Sequence, residues 1–396
     1  MSKYDAVIAG YLCVDMIPQF KPGEGFGNIA EVLKPGRLIE VDGMDVTLGG
    51  VVGNTGLAMS RFAKKVYLTG LIGDDFIGRI VQDRLSSYGL LTGIETTQQG
   101  GTAFGLVVAP PGIDRIFLES PGCNTVFGND HIDYDVVAQS RLFHFGYPPL
   151  LKQFYKEDGA QLYDMFVRIH QMGVLTSLDF SLPDTESESG RIDWNRILQK
   201  TLPFVDIFVP SLEEAMQVMM PEEYVEILAS ADGRDVIDCI PLAMIREVGA
   251  RIMKAGTKIL LIKAGHRGIY LWTGDVSSLN EKAVLKLDTD DWNNRQLWCD
   301  IYPVDDTRMK NASGAGDTAS AAFLAAILEG ETIARSLKYA ALAGRNNLYC
   351  NDLYSELSDW EEMKNEIGAD ALHTINDLAL SEETNTSGVE KTIYRK

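Results

Sequence analysis

The sequence predicts an α/β protein whose main domain has three layers, α/β/α, and carries a small β-sheet lid. Short apolar strands, such as residues 174–179, alternate with helical stretches over most of the chain, which indicates a parallel sheet covered on both faces. Residues 18–48 are instead rich in Pro and Gly, and their alternating stretches at 37–41 and 44–48 predict short strands. A helix is expected to start near Asn54, and two more strands flank the turn at 110–112. We therefore expect a lid at about residues 11–49 and 102–122.

The order of the elements predicts one long domain. At 396 residues the chain is long for a single domain, but α/β folds often run longer as one unit. We expect this domain to span residues 1–375, with the lid inserted in it, followed by a polar tail at 376–396. Residues 281–308, which contain clustered acids with Trp292 and Trp298, are expected to form an irregular insertion.

Composition and charge exclude several classes of function. The chain is 45% hydrophobic, has no run of about eighteen apolar residues and begins without signal-peptide features, so we expect a cytoplasmic protein that does not contact membranes. A formal charge of −20 argues against nucleic-acid binding, which depends on Lys and Arg. The five cysteines stand singly, so we expect neither disulfides nor structural zinc.

The segment 313–317, Ser-Gly-Ala-Gly-Asp, carries the clearest chemical signal, and a helix of small residues follows it. Gly314, Ala315 and Gly316 leave the N–H groups at the helix start uncovered, and such a start suits a phosphate group. Asp317 beside it can take the proton from an attacking hydroxyl. On its own the segment also fits a capping acid after a glycine turn. It is neither a Walker loop nor a dinucleotide fingerprint.

This segment resembles the second signature of the ribokinase-like (PfkB) carbohydrate kinases. Other stretches resemble motifs of that family, in the family's order, over roughly residues 5–350. They are Asp15 after the first strand, the GGxxxN-like Gly49-Gly50 with Asn54, the GxxGxDxxG-like segment 70–78, the GAN-like turn 121–124, the NxxE-like segment 211–214 and the KxGxxG-like segment 263–268. The resemblance implies a ribokinase-like (Rossmann-like) fold and a kinase that uses ATP to phosphorylate a hydroxyl group of a small sugar.

The resemblance also implies roles for individual residues. Asp317 would be the general base, and the backbone of Gly314, Ala315 and Gly316 would form an anion hole with it. The residues implied to bind substrate are Asp15, Gly49, Gly50, Asn54 and Asn124. The residues implied to bind ATP are Ser211, Lys263, Gly265, Gly268 and Asn346, while Glu214 would organise Mg²⁺ through water. Without the resemblance, Asp15 fits a turn acid, Asn54 a helix cap and Glu214 a surface acid.

Two positions depart from the family pattern. Ser211 stands where the family usually has Asn, which weakens the expected network around Mg²⁺ and phosphate. Asn311 stands where the family usually has Asp, so a carboxylate associated with the monovalent-cation site is missing. This departure puts the K⁺ activation that is common in the family in doubt. The base, the glycine turn and Glu214 are retained, so loss of catalysis is not implied.

Two alternative functions remain open at this level. A nucleoside kinase of the same family needs an apolar cleft for the base near the lid, and Phe20, Phe26 and Phe104 are candidates for it. A non-catalytic sugar- or nucleotide-binding regulatory protein is compatible with Ser211 and Asn311. The expected partner is thus a small sugar or nucleoside, with no nucleic acid or membrane. A homodimer through the lid is plausible, because an exposed flap with apolar strands invites pairing.

Overall fold

The computed structural model describes residues 2–21, 28–90, 93–111, 116–282, 285–369, 373 and 375–378. The strands in these ranges are β1 (Tyr4–Gly10), β2 (Cys13–Phe20), β3 (Val41–Gly49), β4 (Val66–Gly73), β5 (Gly93–Thr97), β6 (Phe104–Val108), β7 (Ile116–Ser120), β8 (Ser140–Gly146), β9 (Leu175–Asp179), β10 (Ile207–Phe208), β11 (Ile259–Lys263), β12 (Ile269–Thr273), β13 (Gln296–Cys299) and β14 (Ile375–Asp377). Ten of them form one sheet, in the order β14-β13-β12-β11-β10-β9-β8-β1-β4-β5. The other four form a second sheet, in the order β3-β2-β6-β7.

The centre of the main sheet is parallel, as predicted. Every neighbouring pair from β5 through β4, β1, β8, β9 and β10 to β11 runs in the same direction. Parallel strands have their carboxyl ends at one edge of the sheet, and ligands of open α/β sheets bind just outside that edge. Residues that directly follow these strands are therefore the first place to search for a site.

Beyond β11 the sheet continues with the antiparallel strands β12, β13 and β14. The prediction that residues 281–308 are irregular was wrong for β13, because a four-residue strand is too short to show a clear alternation. Trp298 lies opposite Tyr270 in this extension, and both Trp292 and Trp298 are completely buried, so the two tryptophans are packing residues. β14 spans the predicted boundary between residues 375 and 376, and residues 379–396 of the predicted tail lie outside the described ranges.

Helices cover both faces of the main sheet. The α-helices of the described ranges are α1 (Ile29–Val32), α2 (Gly50–Arg61), α3 (Phe76–Ser87), α4 (Tyr134–Val137), α5 (Lys152–Gln171, with non-helical backbone at residues 156–159), α6 (Trp194–Thr201), α7 (Leu212–Met219), α8 (Pro221–Ser230), α9 (Val236–Cys239), α10 (Leu242–Ala255), α11 (Thr289–Trp292), α12 (Ala315–Glu329), α13 (Ile333–Asn347), α14 (Leu353–Glu356) and α15 (Trp360–Ala369). None of these helices is both long and apolar enough to cross a membrane.

Two hydrophobic clusters lie on opposite faces of the main sheet. One cluster joins the sheet to α2, α12 and α13 and includes Val52 and Phe323. The other joins it to α5, α7 and α10 and includes Phe166 and Met216. Within a β-strand successive side chains point to opposite faces, so Ile8 of β1 belongs to the first cluster and its neighbours Val7 and Ala9 to the second. The predicted three-layer α/β/α architecture is confirmed.

α12 lies within the first cluster and follows the predicted segment at 313–317. Residues 317–328 of this helix are all buried, and most of them are alanine, serine or threonine. Small side chains allow neighbouring helices to approach closely, and α13, which presents Ala340, Ala341 and Ala343 as buried residues, is its main helical neighbour. The start of α12 is therefore fixed from several sides.

The second sheet confirms the predicted small β lid. β2 and β3 are antiparallel, β6 lies parallel to β2, and β7 is antiparallel to β6. Strand structure was also expected at residues 37–40, and this was wrong, because β3 begins only at Val41. The described part of the lid leaves out residues 22–27 and 112–115, which include Phe26.

The GxxGxDxxG-like segment has a structural role at the junction of α3 and the lid. Asp75 is the N-cap of α3, and its carboxylate accepts hydrogen bonds from the backbone N–H groups of Gly78 and Thr102, both at 2.7 Å, and from the Thr102 hydroxyl at 2.8 Å. Burial opposes ionisation of Asp75, but these hydrogen bonds outweigh it and hold the pKa of the carboxyl below its ordinary value. Asp75 thus ties the start of α3 to the residue that precedes the lid strand β6.

We expect Asp75→Ala to lower the free energy of unfolding by about 1–2 kcal/mol at pH 7, because it removes the helix cap and the bonds to Thr102. A carboxyl with a lowered folded-state pKa stabilises the fold above its unfolded pKa of about 3.9, and this stabilisation is lost as the pH falls through the folded value. Chemical denaturation at several pH values measures the effect. Asp74→Ala is the matched control, and equal losses in the two variants would contradict the assignment.

Candidate active site

Asp317 lies in the first turn of α12 with its carboxylate directed at other side chains. The Tyr147 hydroxyl donates to it at 2.7 Å from each carboxylate oxygen, and the Asn54 amide donates to Oδ2 at 2.9 Å. The Thr55 hydroxyl lies 3.5 Å from Oδ1, at the limit of a hydrogen bond. Burial raises the pKa of Asp317, while Lys263 and the donating side chains oppose that rise. These partners are side chains from other elements, so Asp317 is more than a capping acid.

The turn before α12 is formed by a glycine in the left-handed region. Gly314 is the N-cap of α12 with φ of 75°, and a Cβ there would lie about 3.0 Å from the Asn54 side chain. Two hydrogen bonds at Ser313 fix this turn. The Asn347 amide donates to the Ser313 carbonyl at 2.8 Å, and Asn311 accepts from the Ser313 N–H at 2.9 Å. The N–H groups of the first turn have no partner within their own helix, which favours an anion at this position.

A buried ion pair lies beside the same helix start. The Lys263 ammonium at the end of β11 donates to both carboxylate oxygens of Asp179, at 2.8 and 2.9 Å, and to the Ser320 hydroxyl at 3.2 Å. A Cβ at Gly316 would lie 3.8 Å from this ammonium, so Lys263 is adjacent to the glycine turn. Burial disfavours the ammonium, but the carboxylates of Asp179, Glu214 and Asp317 outweigh burial and raise the pKa of Lys263. The charged form of Lys263 is therefore favoured by its carboxylate neighbours.

Ser211 and Glu214 form a capping box at the start of α7. The Ser211 N–H donates to the Glu214 carboxylate at 2.7 Å, and the Glu214 N–H donates to the Ser211 hydroxyl at 3.2 Å. Ser211 also forms an isolated parallel bridge with Lys263, which joins this helix start to the ion pair. Glu214 is half-buried and its carboxylate is held by the Ser211 N–H, so it is not the surface acid of the alternative interpretation. Burial raises the pKa of this carboxyl.

Asp15 is a lid residue that lies between two glycines. A Cβ at Gly49 would lie 2.4 Å from one of its carboxylate oxygens, and a Cβ at Gly105 would lie 3.0 Å from the other. Gly50 has φ of 73°, and a Cβ there would lie 2.4 Å from the Tyr11 carbonyl. The predicted Gly49-Gly50 pair is thus required by close approach. Burial, reinforced by the nearby carboxylates, raises the pKa of Asp15 to about 6 although the Cys13 thiol donates to it.

Asn54 faces Asp317 from inside a helix. The helix was predicted to start near Asn54, but α2 starts at Gly50, so the interpretation of Asn54 as a helix cap was wrong. Asn54 lies four positions after Gly50, which is about one helical turn. One pocket is lined in part by Asp15, Asn54, Asn311 and Ser313, so Asp15 and Asn54 lie close to the glycine turn that precedes α12.

The other predicted site residues have structural contacts. The Asn124 amide is buried and donates to the Leu12 carbonyl at 3.0 Å, between β1 and β2. The Asn346 amide donates to the Ser358 hydroxyl at 3.1 Å. Gly265 and Gly268 both have positive φ in the turn between β11 and β12. The proposed contacts of these four residues with substrate or ATP stay predictions.

Four residues of this site were not predicted from the sequence: Asp179, Ser320, Tyr147 and Glu119. Asp179 and Tyr147 directly end or follow a parallel strand, and a polar residue at the carboxyl end of an apolar strand is a usable signal for a site. Glu119 of β7 accepts a short hydrogen bond from the Tyr11 hydroxyl, and no local pattern marks it. Ser320 belongs to the small residues of α12, where nothing distinguishes it.

The fold and the buried carboxylate beside a glycine turn define a protein of the ribokinase-like class. The family model described as pfkB family carbohydrate kinase matches residues 27–352, and the chain therefore belongs to the PfkB family of carbohydrate kinases. The match begins after β2 and ends in the loop after α13, so it contains β3 to β13 and the segment 313–317. The family resemblance expected from the motifs is confirmed, and the protein is a sugar kinase of this family.

Individual relatives are distant in sequence. An uncharacterised sugar kinase of Archaeoglobus fulgidus is 24% identical over 277 residues, 70% of this chain and 88% of the relative. A 5-dehydro-2-deoxygluconokinase of Clostridium beijerinckii is 22% identical over 358 residues, 89% and 92% of the two chains. The sequences thus align over nearly the whole length of a sugar kinase.

Solved structures share the fold. The ribokinase of Arabidopsis thaliana, complexed with ribose and ATP, has a TM-score of 0.66 at 18% identity and covers 93% of this chain and 100% of its own. A candidate ribokinase II from E. coli, in complex with ATP and Mg²⁺, has a TM-score of 0.65 at 17% identity, with the same coverage. At these identities the comparison establishes the fold alone, and it confirms the ribokinase-like prediction.

We expect Lys263→Met to lower the free energy of unfolding by about 3 kcal/mol or more, because it leaves the Asp179 carboxylate buried without its cation. The double variant Lys263→Met/Asp179→Asn removes both charges and should lose much less than the sum of the two single variants. Chemical denaturation measures all three. Arg196→Met breaks the exposed pair with Asp158 and serves as the control, with a loss within about 1 kcal/mol. Additive losses would show that the two buried charges do not depend on each other.

Proposed function

We propose that this protein transfers the γ-phosphoryl group of ATP to a hydroxyl group of a small sugar, with Asp317 as the general base. The observation that carries the proposal is the buried Asp317 carboxylate. It lies at the start of α12 and is contacted by Asn54 of α2. Membership of the PfkB family supports the sugar as acceptor. A base in this position is within reach of both a bound hydroxyl and the glycine turn.

In the proposed reaction the sugar hydroxyl attacks the γ-phosphorus in line with the bond to the leaving oxygen. Asp317 accepts the proton of that hydroxyl, a new bond forms between the sugar oxygen and phosphorus, and the bond from phosphorus to the β-phosphate oxygen breaks with its electron pair leaving on ADP. The N–H groups of residues 314–317 and the nearby Lys263 ammonium stabilise the charge on the transferring group. Positioning and electrostatics thus supply most of the acceleration.

The nucleotide and its metal ion fit the residues at the ends of β10 and β11. The described residues contain no cluster of three or more His, Cys, Asp or Glu side chains arranged for a metal ion. Mg²⁺ in kinases is usually held by one or two carboxylates together with substrate phosphates and water, so Glu214 alone suits it. When bound, Mg²⁺ neutralises charge on the phosphates. Ser211, Lys263, Gly265, Gly268 and Asn346 are proposed to contact ATP, and no need for K⁺ is proposed.

The sugar is proposed to bind between the lid and the start of α12. Asp15 on β2, the Gly49-Gly50 turn and Asn54 are proposed to hold its hydroxyl groups, and Asn124 is proposed to support that site from behind. Movement of the lid toward α12 would exclude water, which competes with the sugar as phosphoryl acceptor. Exposed apolar side chains on the lid, such as Met44 and Leu118, support a homodimer through this sheet.

The alternatives receive less support. Phe20, one of the aromatic residues considered for contact with a nucleobase, packs into a small lid cluster with Val32 and Val108. This packing favours a sugar over a nucleoside. A purely regulatory protein would have no need for the buried Asp317 and Lys263 beside one another, since each is costly to bury.

Asp317→Asn should reduce turnover by roughly two to four orders of magnitude, because the amide cannot accept the proton of the attacking hydroxyl. Binding of ATP, measured by isothermal titration calorimetry, should change little, since Asp317 is proposed to contact the acceptor and not the nucleotide. ADP formation over time, with a panel of sugars and nucleosides, measures turnover and selects the acceptor. If the variant turns over the best acceptor at an unchanged rate, Asp317 is not the base. If the unaltered protein binds one compound tightly but does not phosphorylate it, a regulatory function is supported.

Asp15→Asn should raise the KM for the sugar by about ten- to a hundredfold, the typical effect of losing a hydrogen bond to a charged group. The kcat should change much less, because Asp15 holds the sugar and takes no part in the proton transfer. Asp45→Asn, on the neighbouring lid strand β3, is the matched control and should leave KM unaltered. A loss of kcat at constant KM would instead assign Asp15 to the chemical step.

A further inference from the structure

Tyr147 makes the closest contact to the proposed base, and none of the motifs on which the family resemblance rests includes it. Its hydroxyl oxygen lies 2.7 Å from both Oδ1 and Oδ2 of Asp317, so a single hydroxyl bridges the two oxygens of the carboxylate. The Asn54 amide fixes Oδ2 from a second direction at 2.9 Å. Two donors from different elements therefore determine the plane and the rotation of the Asp317 carboxylate.

The backbone of Tyr147 is held in an uncommon conformation. Tyr147 has φ of 67° and ψ of 45°, in the left-handed region, which costs a bulky side chain about 1–2 kcal/mol. Among the described residues, six non-glycine positions have positive φ, and Tyr147 is the aromatic one. Strain of this kind persists only where the surrounding structure enforces it, and it is concentrated at functional sites.

The neighbours of Tyr147 show what enforces this conformation. Gly146, the last residue of β8, packs so closely on Val51 of α2 that a Cβ at position 146 would lie 2.5 Å from a Val51 methyl group. The chain turns directly after Gly146, and Pro148 and Pro149 follow at once. The left-handed turn at Tyr147 directs its side chain across the carboxyl edge of the sheet to α12.

We propose that Tyr147 is a positioning residue that orients the Asp317 carboxylate for proton abstraction from the acceptor hydroxyl. The inference rests on the proposed role of Asp317 as base and deepens it. A carboxylate offers about four lone-pair positions, and the contacts from Tyr147 and Asn54 use three of them, so a position remains for the acceptor hydroxyl. The burial of Tyr147 and its carboxylate neighbours raise the pKa of its hydroxyl, so that it remains a donor throughout.

Tyr147→Phe keeps the ring and removes only the hydroxyl. We expect kcat to fall about ten- to a hundredfold, since a hydrogen bond to a charged group is lost, while the KM values for sugar and ATP change less than about threefold. Tyr270→Phe is the matched control, because Tyr270 is a fully buried tyrosine whose hydroxyl donates to Gln296 within the antiparallel extension. Its kcat should equal that of the unaltered protein. Unchanged kcat in Tyr147→Phe, or equal losses in both variants, would overturn the proposal.

The double variant Tyr147→Phe/Asp317→Asn separates positioning from a general structural role. If Tyr147 acts through Asp317, removal of its hydroxyl costs nothing further once the base is absent, and the double variant should be as slow as Asp317→Asn. Multiplied losses would show that Tyr147 acts independently of Asp317 and would contradict the proposal. Unchanged turnover in Asp317→Asn alone would defeat the proposed function, whereas a slow Asp317→Asn with a fully active Tyr147→Phe would defeat only this inference.

Thermal unfolding of each variant verifies that the fold is retained at the assay temperature. If Tyr147→Phe unfolds below that temperature, Tyr147→His takes its place, because histidine is tolerated at positive φ and keeps a planar ring. Its shorter side chain cannot bridge both oxygens of Asp317, so we expect the same loss of kcat with little change in KM. Full activity of Tyr147→His would contradict the need for the bridging hydroxyl.

Discussion

The carboxylate of Asp317 is buried where water solvates it poorly, and several neighbouring side chains compensate for this loss of solvation. Burial favours the protonated acid, which is unable to accept another proton, and the Lys263 ammonium and the donors Asn54 and Tyr147 act in the opposite direction. Lys263 in turn needs Asp179, because an unpaired buried ammonium would lose its proton. Asp317, Lys263 and Asp179 therefore depend on one another, although they come from three separate elements.

The architecture was largely predictable from the sequence, while the interior of the site was not. Alternating strands and helices predicted the parallel sheet, and Pro- and Gly-rich alternating stretches predicted the lid, because both signals are local. The partners of the proposed base and cation are distant in sequence: Tyr147 lies 170 residues from Asp317, and Asp179 lies 84 residues from Lys263. No short pattern relates such residues, and only the sheet brings them to one edge.

Errors in the predicted boundaries have a common physical origin in tertiary contacts. A glycine in a first helical turn looks like a loop, so the start of α2 was placed near Asn54 and not at Gly50. Gly50 is required there by its close approach to the Tyr11 carbonyl, which the sequence does not show. The corrected boundary explains the spacing of the motif, because one helical turn carries the chain from the glycine pair to Asn54, whose amide then reaches Asp317.

In the proposed function, the sugar lies between the lid sheet and helix α12 of the main domain. Asp15 belongs to the lid, whereas Asp317 belongs to the main domain, so the position of the lid sets the distance between the bound hydroxyls and the base. Tyr11 follows β1, and its hydroxyl donates to Glu119 on β7. This hydrogen bond joins the main domain to the lid. Efficient transfer requires the reacting atoms to approach to about 3 Å, so the position of the lid is expected to control the rate. A water molecule is too small to contact both the lid and α12, so it competes poorly with the sugar for the phosphoryl group.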